Sequence, residues 1–368
     1  MGRHALYAAA IAGDTDAKHK LKIEADTVST YHITILHIES RAGNTERVRF
    51  ILKEFANKNL LVKLDSNNET ALHLATYNGH IQVVELLVDA ATSFPYSAIE
   101  NRDNQISCFE DFLRQANNKM NTALHLAVST CNAEIAEILV KADASDKHIQ
   151  NGNGDTPVYL AAKLGYNHII KIICTTCTAP SLDGPHGTTA LHAAVLKLPQ
   201  ANEEDNDVVI VLINAAKRTI SSKDAPASSF ASVLDSVLEL AVQGNHVNVV
   251  KLILEDPAYQ SKNMDLKTLI YMAAERKYND IVKLLCKTYQ AGNSLEDEGE
   301  TALRAALIGS DEDSVHTCLR ENERLVTYED EKGWTPLHYA AKYQFDLVLE
   351  VIVKIKNTNT PWVSIWVC

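Results

Sequence analysis

Fourteen histidines and seven cysteines are the side chains in this 368-residue sequence best suited to ligating a metal or moving a proton. Five histidines, His37, His73, His125, His192 and His338, each stand three residues after a Thr in near-identical surroundings. Equivalent residues of stacked helices lie about 10 Å apart, whereas zinc needs nitrogen atoms at about 2.0–2.1 Å. Shared ligation is therefore excluded, and the five are read as structural. His80, His168 and His246 open second helices and are read the same way. Cys174-Thr-Thr-Cys177 is a lone CxxC at the close of a helix. Zinc would need a second pair, and a redox pair would need a strand leading in. Cys108, Cys131, Cys174, Cys177, Cys286, Cys318 and Cys368 are an odd, scattered set, which reads as free thiols in a reducing compartment. Gly152-Asn-Gly154-Asp155-Thr156 lacks the Lys and the spacing of a phosphate loop. Asn68-Glu-Thr70 matches a glycosylation sequon, but its Thr is wanted as a helix cap. No enzyme, cofactor or metal is expected.

The elements behind these residues repeat. Thr70-Ala-Leu-His-Leu-Ala75, Thr122-Ala-Leu-His-Leu-Ala127, Thr189-Ala-Leu-His-Ala-Ala194 and Thr335-Pro-Leu-His-Tyr-Ala340 nearly copy one another, and looser copies begin at His4, Thr34, Thr156, Ser236, Thr268 and Thr301. Successive starts are 30, 36, 52, 34, 33, 47, 32, 33 and 34 residues apart. Each residue type in the unit has a task. Thr caps a first helix, Pro157 and Pro336 take the first helical position, and the His reaches back to the cap as Glu does in a capping box. Gly79 and Gly165 close the first helix in the left-handed conformation. Ile81, Val84, Leu87 and Val88 line one face of a second helix. Helices of about ten residues do not hold alone in water, so each leans on its neighbours.

This unit resembles the ankyrin repeat, with its Thr-Pro-Leu-His signature. The fold expected is all-α: a solenoid of about ten helix-turn-helix repeats with short β-hairpin tips, over residues 1–356. A non-repeat tail follows at 357–368, which either covers the last repeat's apolar face or is an unstructured end. The interval of 52 residues holds an insertion near 91–119, in which Ile106, Phe109, Phe112 and Leu113 predict an amphipathic turn. Insertions near 199–207 and 221–232 read as solvated loop. In ankyrin arrays the hairpin tips and the outer part of the first helix form a concave binding surface. The resemblance carries contact positions to four, three and one residues before the capping residue and seven and eight after it. In this sequence those positions select Tyr31, Arg41, Tyr77, Asn78, Lys163, Leu164, His186, Glu275, Arg276, Glu298, Glu300, Trp334 and Tyr343 as partner-binding residues. Trp334 either anchors a partner beside Glu298 and Glu300 or packs on the adjacent hairpin as a structural plate.

A narrower resemblance rests on Thr34-Ile-Leu-His-Ile-Glu-Ser-Arg-Ala-Gly43, Thr156-Pro-Val-Tyr-Leu-Ala-Ala162, Gly184-Pro-His-Gly-Thr-Thr-Ala-Leu-His-Ala-Ala194 and Gly333-Trp-Thr-Pro-Leu-His-Tyr-Ala-Ala341. These are similar to plant ankyrin–transmembrane proteins of the accelerated-cell-death type. That likeness implies a protein-binding scaffold in plant defence or stress signalling, cytoplasmic and associated with the cytoplasmic face of a membrane. The alternative it implies is the cytoplasmic sensor portion of a channel-like membrane protein. Net charge is −12, with no Lys/Arg stripe, which disfavours nucleic acid. The longest strongly apolar run, Val208 to Ile213, is far short of the roughly 20 residues of a membrane span. The opening residues, Met1 to Ala12, lack a signal-peptide cleavage site and fit a first repeat. Leu6 stands where a myristoylation signal needs Ser or Thr.

Overall fold

The capping threonines set the local structure. Thr34, Thr70, Thr122, Thr156 and Thr335 adopt extended backbone and each is followed at once by helix. The computed structural model describes residues 16–17, 20, 33–55, 58–93, 109–144, 149–198, 206–222, 227–260, 266–290, 303, 306–307, 312–321, 323–327, 329 and 333–359. These are all-α, with no strand among them. Where β-hairpin tips were expected, single hydrogen-bonded turns and one isolated bridge, Asp183–Thr189, join the repeats.

Chain contacts divide the protein into two compact units, the first centred on residues 1–197 and 207–225, the second on 226–368. In the first unit, five helix pairs follow one another. They are Ile35–Arg41 with Thr45–Glu54, Ala71–Tyr77 with Ile81–Thr92, Ala123–Ser129 with Ala133–Ala142, Pro157–Leu164 with Asn167–Thr176, and Ala190–Lys197 with Asn206–Ser222. First helices pack on the first helices of the flanking repeats, and second helices on second helices. The second unit holds Ala227–Gln243 with Val247–Leu254, Lys267–Glu275 with Asn279–Gln290, Glu312–Glu321, and Pro336–Tyr343 with Asp346–Asn359. The residue two places after the start is buried in eight repeats, Leu36, Leu72, Leu124, Val158 and Leu191 in one unit and Leu238, Ile270 and Leu303 in the other, while Leu337 of the last repeat is half-buried.

Left-handed backbone recurs with the same period. Gly43, Gly79, Cys131, Gly165, Asn245, Lys277 and Gln344, each nine residues after a start, have φ between 56° and 77°. A second set, two residues before the cap, turns the hairpin tips: Asn68, Met120, Gly154, Gly187 and Gly333. Glycine is the low-strain choice there, yet Cys131 and Lys277 hold the same geometry, so packing of the two helices outweighs a local cost of about 1–2 kcal/mol.

Three expectations are corrected. Ser236 is no cap: the helix begins nine residues earlier, at Ala227, and the Ser236 hydroxyl bonds back to the Val233 carbonyl. Thr268 lies inside Lys267–Glu275, which Leu266 precedes in helical backbone. The insertion near 221–232 is largely helix rather than loop, because Phe230, Ala231 and Leu234 bury one side of Ala227–Gln243. The amphipathic turn near 91–119 is present as Phe109–Leu113 with Phe112 and Leu113 buried, while Ile106 lies outside the described residues. Residues 199–205 and the tail from 360 onward also lie outside them.

Candidate functional site

The histidines that looked most like chemistry bind the array together. Each of His37, His73, His125, His192 and His338 takes the backbone N–H of its own capping Thr on Nδ1, at 3.0–3.3 Å. That acceptor role places the ring proton on Nε2. The Nε2–H of His37 donates to the Glu69 carbonyl and that of His125 to the Asp155 carbonyl, both at 3.0 Å, so each ring links one repeat to the next. Burial lowers the pKa of His37 and His192, and that of His73 to about 4. The Nε2 of His73 is buried without a hydrogen-bond partner. In repeat five, where Tyr159 replaces the histidine, Thr156 donates its hydroxyl to the Asp183 carbonyl, and the Thr188 hydroxyl donates to the Tyr159 hydroxyl.

A second ladder stiffens the hairpin tips. Asp65, Asn117 and Asn151, five residues before their caps, each accept two backbone N–H groups of their own turn on one side-chain oxygen. Asn117 Nδ2 then donates to Glu69 Oε1 and Asn151 Nδ2 to Asn121 Oδ1, each at 3.0 Å. The Asn118 N–H donates to the Asn67 carbonyl and the Gly152 N–H to the Lys119 carbonyl, each at 2.9 Å. Three successive tips are thereby fixed at their base while their outward side chains stay exposed.

Between these tips and the first helices of repeats two to four runs an open groove of about 900 Å³. Ile33, Ile38, Leu74 and Leu126 give it an apolar bed. Arg41, Tyr77, Asn78 and Ser129 line it from the helix ends, and Asn67, Asn118 and Lys119 from the tips. Tyr77 is 61% exposed. The structure thus brings together three of the residues selected from sequence, Arg41, Tyr77 and Asn78. Lys163 is held by Asp155 at 3.2 Å, with exposed Leu164 beside it, and His186 is exposed at a tip in left-handed backbone; none of these lines the groove. Tyr31, Glu298 and Glu300 lie outside the described residues.

In the second unit, Glu275 and Arg276 are exposed at the end of Lys267–Glu275. Trp334 is half-buried edge-on against Tyr339 of its own repeat, 5.1 Å between centroids, and Tyr343 stacks on Phe345 at 5.6 Å. Lys342 Nζ lies 5.0 Å from the Trp334 ring and 4.9 Å from that of Tyr343. Trp334 thus has ring contacts within its own repeat.

Sequence reasoning missed Ile38, Leu74 and Leu126 of the apolar bed, because the position four residues after the cap was not among the transferred contacts, and it passed over Ile33, which the rule does include. Leu196, seven residues after Thr189 and 69% exposed, satisfies the transferred rule and was also passed over. Cys174 and Cys177 are fully buried, and burial pushes the Cys174 thiol up to about 12, so that sulfur is a poor nucleophile. Among the described residues no group of three metal-ligating side chains gathers, and no helix is long and apolar enough to cross a membrane.

Capped helix pairs, left-handed closures at a fixed offset and an exposed groove define a helical-repeat binding array. A model of ankyrin repeats matches residues 5–95, 238–324 and 269–360, and a single-repeat model matches 119–152. The chain belongs to the ankyrin-repeat family. Among curated relatives, ACCELERATED CELL DEATH 6 of Arabidopsis thaliana is 32% identical over 145 residues, 39% of this chain and 21% of that protein. The NF-kappa-B p105 subunit of Gallus gallus is 27% identical over 246 residues, 66% of this chain and 22% of that one. NF-kappa-B inhibitor alpha of Homo sapiens is 37% identical over 89 residues, 23% of this chain and 28% of that one. The chain spans between 21% and 28% of the length of these relatives. Ankyrin repeats make it a protein-binding scaffold.

Proposed function

We propose that this chain is a non-catalytic scaffold that holds a protein partner in the groove of repeats two to four, within plant defence or stress signalling at the cytoplasmic face of a membrane. The observation that carries the binding site is the exposed Tyr77, flanked by Arg41 and Asn78, above an apolar bed and beside tips already fixed by hydrogen bonds. A fixed surface loses little conformational entropy on binding, and Tyr and Arg are the side chains that anchor interfaces. The relative named as an inhibitor of NF-kappa-B supports a role exerted on another protein. The plant relative, ACCELERATED CELL DEATH 6, supports the signalling setting. The remaining selected residues, Tyr31, Lys163, Leu164, His186, Glu275, Arg276, Glu298, Glu300, Trp334 and Tyr343, are proposed as further contacts.

A photo-crosslinking side chain at position 77 in plant cells tests the site. It is expected to capture a discrete protein that the same group at Glu85, exposed on the second helix of that repeat, does not. Capture from position 85 and not from 77 would move the site to the other face.

A further inference from the structure

The groove carries a charge pattern that the sequence as a whole does not suggest. The chain is acidic, yet the two carboxylates lining this groove are already engaged. Asp65, 8% exposed, accepts the N–H groups of Asn67 and Glu69 on one oxygen at 2.8 Å. Glu69 accepts the amide of Asn117 at 3.0 Å. The cations are not engaged: no hydrogen-bond or ion-pair partner for Arg41 Nη or Lys119 Nζ is found among the described residues.

Repeat five supplies an internal comparison. Lys163 occupies the position of Arg41, seven residues after the cap, and is neutralised by Asp155, the residue before that cap. In repeat two the residue before the cap is Ile33, so the corresponding carboxylate is missing and Arg41 faces the groove unpaired. An unpaired guanidinium gains from a carboxylate in a part-desolvated groove, where the pair is less screened than in bulk water.

We infer that the groove of repeats two to four takes an extended, acidic segment of a partner protein, its carboxylates meeting Arg41 and Lys119 with an apolar side chain between them on Tyr77. This rests on the proposed function and adds the chemistry of the partner. Arg41 and Lys119 belong to repeats two steps apart, about 20 Å along the array at one interhelix distance per step. An extended strand covers that in about six residues. The amide of Asn67 lies along the same path and is suited to a peptide carbonyl.

The test uses the full chain and a fluorescein-labelled peptide in which two glutamate pairs flank a short apolar stretch, with glutamines replacing the glutamates in a control. Anisotropy is expected to show binding of the glutamate peptide at least tenfold tighter than the control. Arg41→Gln and Lys119→Gln should each weaken it at least fivefold, with unchanged melting temperatures, while Lys141→Gln, exposed on the second helix of repeat four, leaves it unchanged. Equal affinity for the two peptides, indifference to both groove substitutions, or no binding of the glutamate peptide overturns the proposal. Tighter binding of single-stranded RNA than of the peptide also overturns it, in favour of a general anion site. If crosslinking from position 77 succeeds while the peptide fails, the groove remains the binding site and its acidic specificity falls. If both fail, both readings fall.

Discussion

At the scale of the residue, the histidine of the unit closes a helix cap, at His37 and His125 it also reaches the next repeat, and at His37, His73 and His192 burial favours the uncharged ring. Protonation would put a second N–H on Nδ1, facing the N–H of the capping Thr, and the capping box would open. The direction of the pH effect follows. The pKa of His73 falls from 6.5 to about 4 on folding, so the unfolded chain binds the extra proton between those values. Stability contributed by His73 is full above pH 6.5 and is lost as pH falls toward 4, by up to about 3 kcal/mol. His37 and His192 shift in the same direction. Thermal unfolding at pH 7.5 and pH 5.0 checks this: the melting temperature should be lower at pH 5.0, and His73→Gln should flatten the dependence while lowering stability at both. Equal melting temperatures for the unsubstituted chain would contradict the neutral-histidine account. A glycine gives a second residue-scale expectation. A Cβ at Gly184 would collide with the Tyr159 ring, the side chain that stands in for the histidine of repeat five. Gly184→Ala is expected to cost about 1–3 kcal/mol through overpacking, measured by urea unfolding. Tyr159→Leu in the same background should recover part of the loss.

At the scale of the element, helix starts and turns are set by few groups, and these are also where the sequence was most and least readable. Thr34, Thr70, Thr122 and Thr335 announced their helices because Thr and His three residues apart form a reciprocal bond visible in the spacing alone. Ser236 and Thr268 carried the period without the function. Leu238 and Ile270 keep the core position, but Ser236 stands nine residues into a helix, where no N–H is free to cap, and Thr268 is the second residue of a helix that starts at Lys267. Periodicity reports burial more faithfully than it reports capping. The groove was half-readable for a similar reason. Its rim of Arg41, Tyr77 and Asn78 stands out by residue type, whereas Ile38, Leu74 and Leu126 look like ordinary core leucine and isoleucine. Only stacking of three repeats turns them into the floor of a surface. Trp334 was open to two readings because an aromatic at a tip can face outward or inward, and the ring it meets, Tyr339, lies five residues on. The hairpin ladder yields a prediction. Asn117→Ala removes an acceptor for the N–H groups of Lys119 and Asn121 and a donor to Glu69. Net contributions of about 1 kcal/mol for each of the three bonds imply a loss of ~3 kcal/mol. Faster hydrogen exchange should appear at 117–121 and, through the freed Glu69, at 65–69; acceleration confined to residues outside both tips would count against the ladder.

At the scale of the whole molecule, the array is a chain of nearest-neighbour interfaces, and its stability is close to a sum of local terms. Thr122→Ala, costing on the order of 1 kcal/mol, should accelerate exchange in repeats three to five and leave Val247–Leu254 unchanged. Uniform acceleration along the chain would contradict local coupling. Helices fixed repeat by repeat build a continuous surface along the groove. In the proposed function, what that surface binds is set by the side chains that the ladders leave unspent, above all Tyr77. The most direct test of the account is therefore the affinity of the chain for the protein captured from position 77, measured by titration calorimetry before and after Tyr77→Ala. Because Tyr77 is mostly exposed, the substitution should leave the melting temperature nearly unchanged. As an interface anchor it should weaken binding by about 2 kcal/mol, roughly thirtyfold. Unchanged affinity in a stably folded variant would show that the groove of repeats two to four is not where the partner sits.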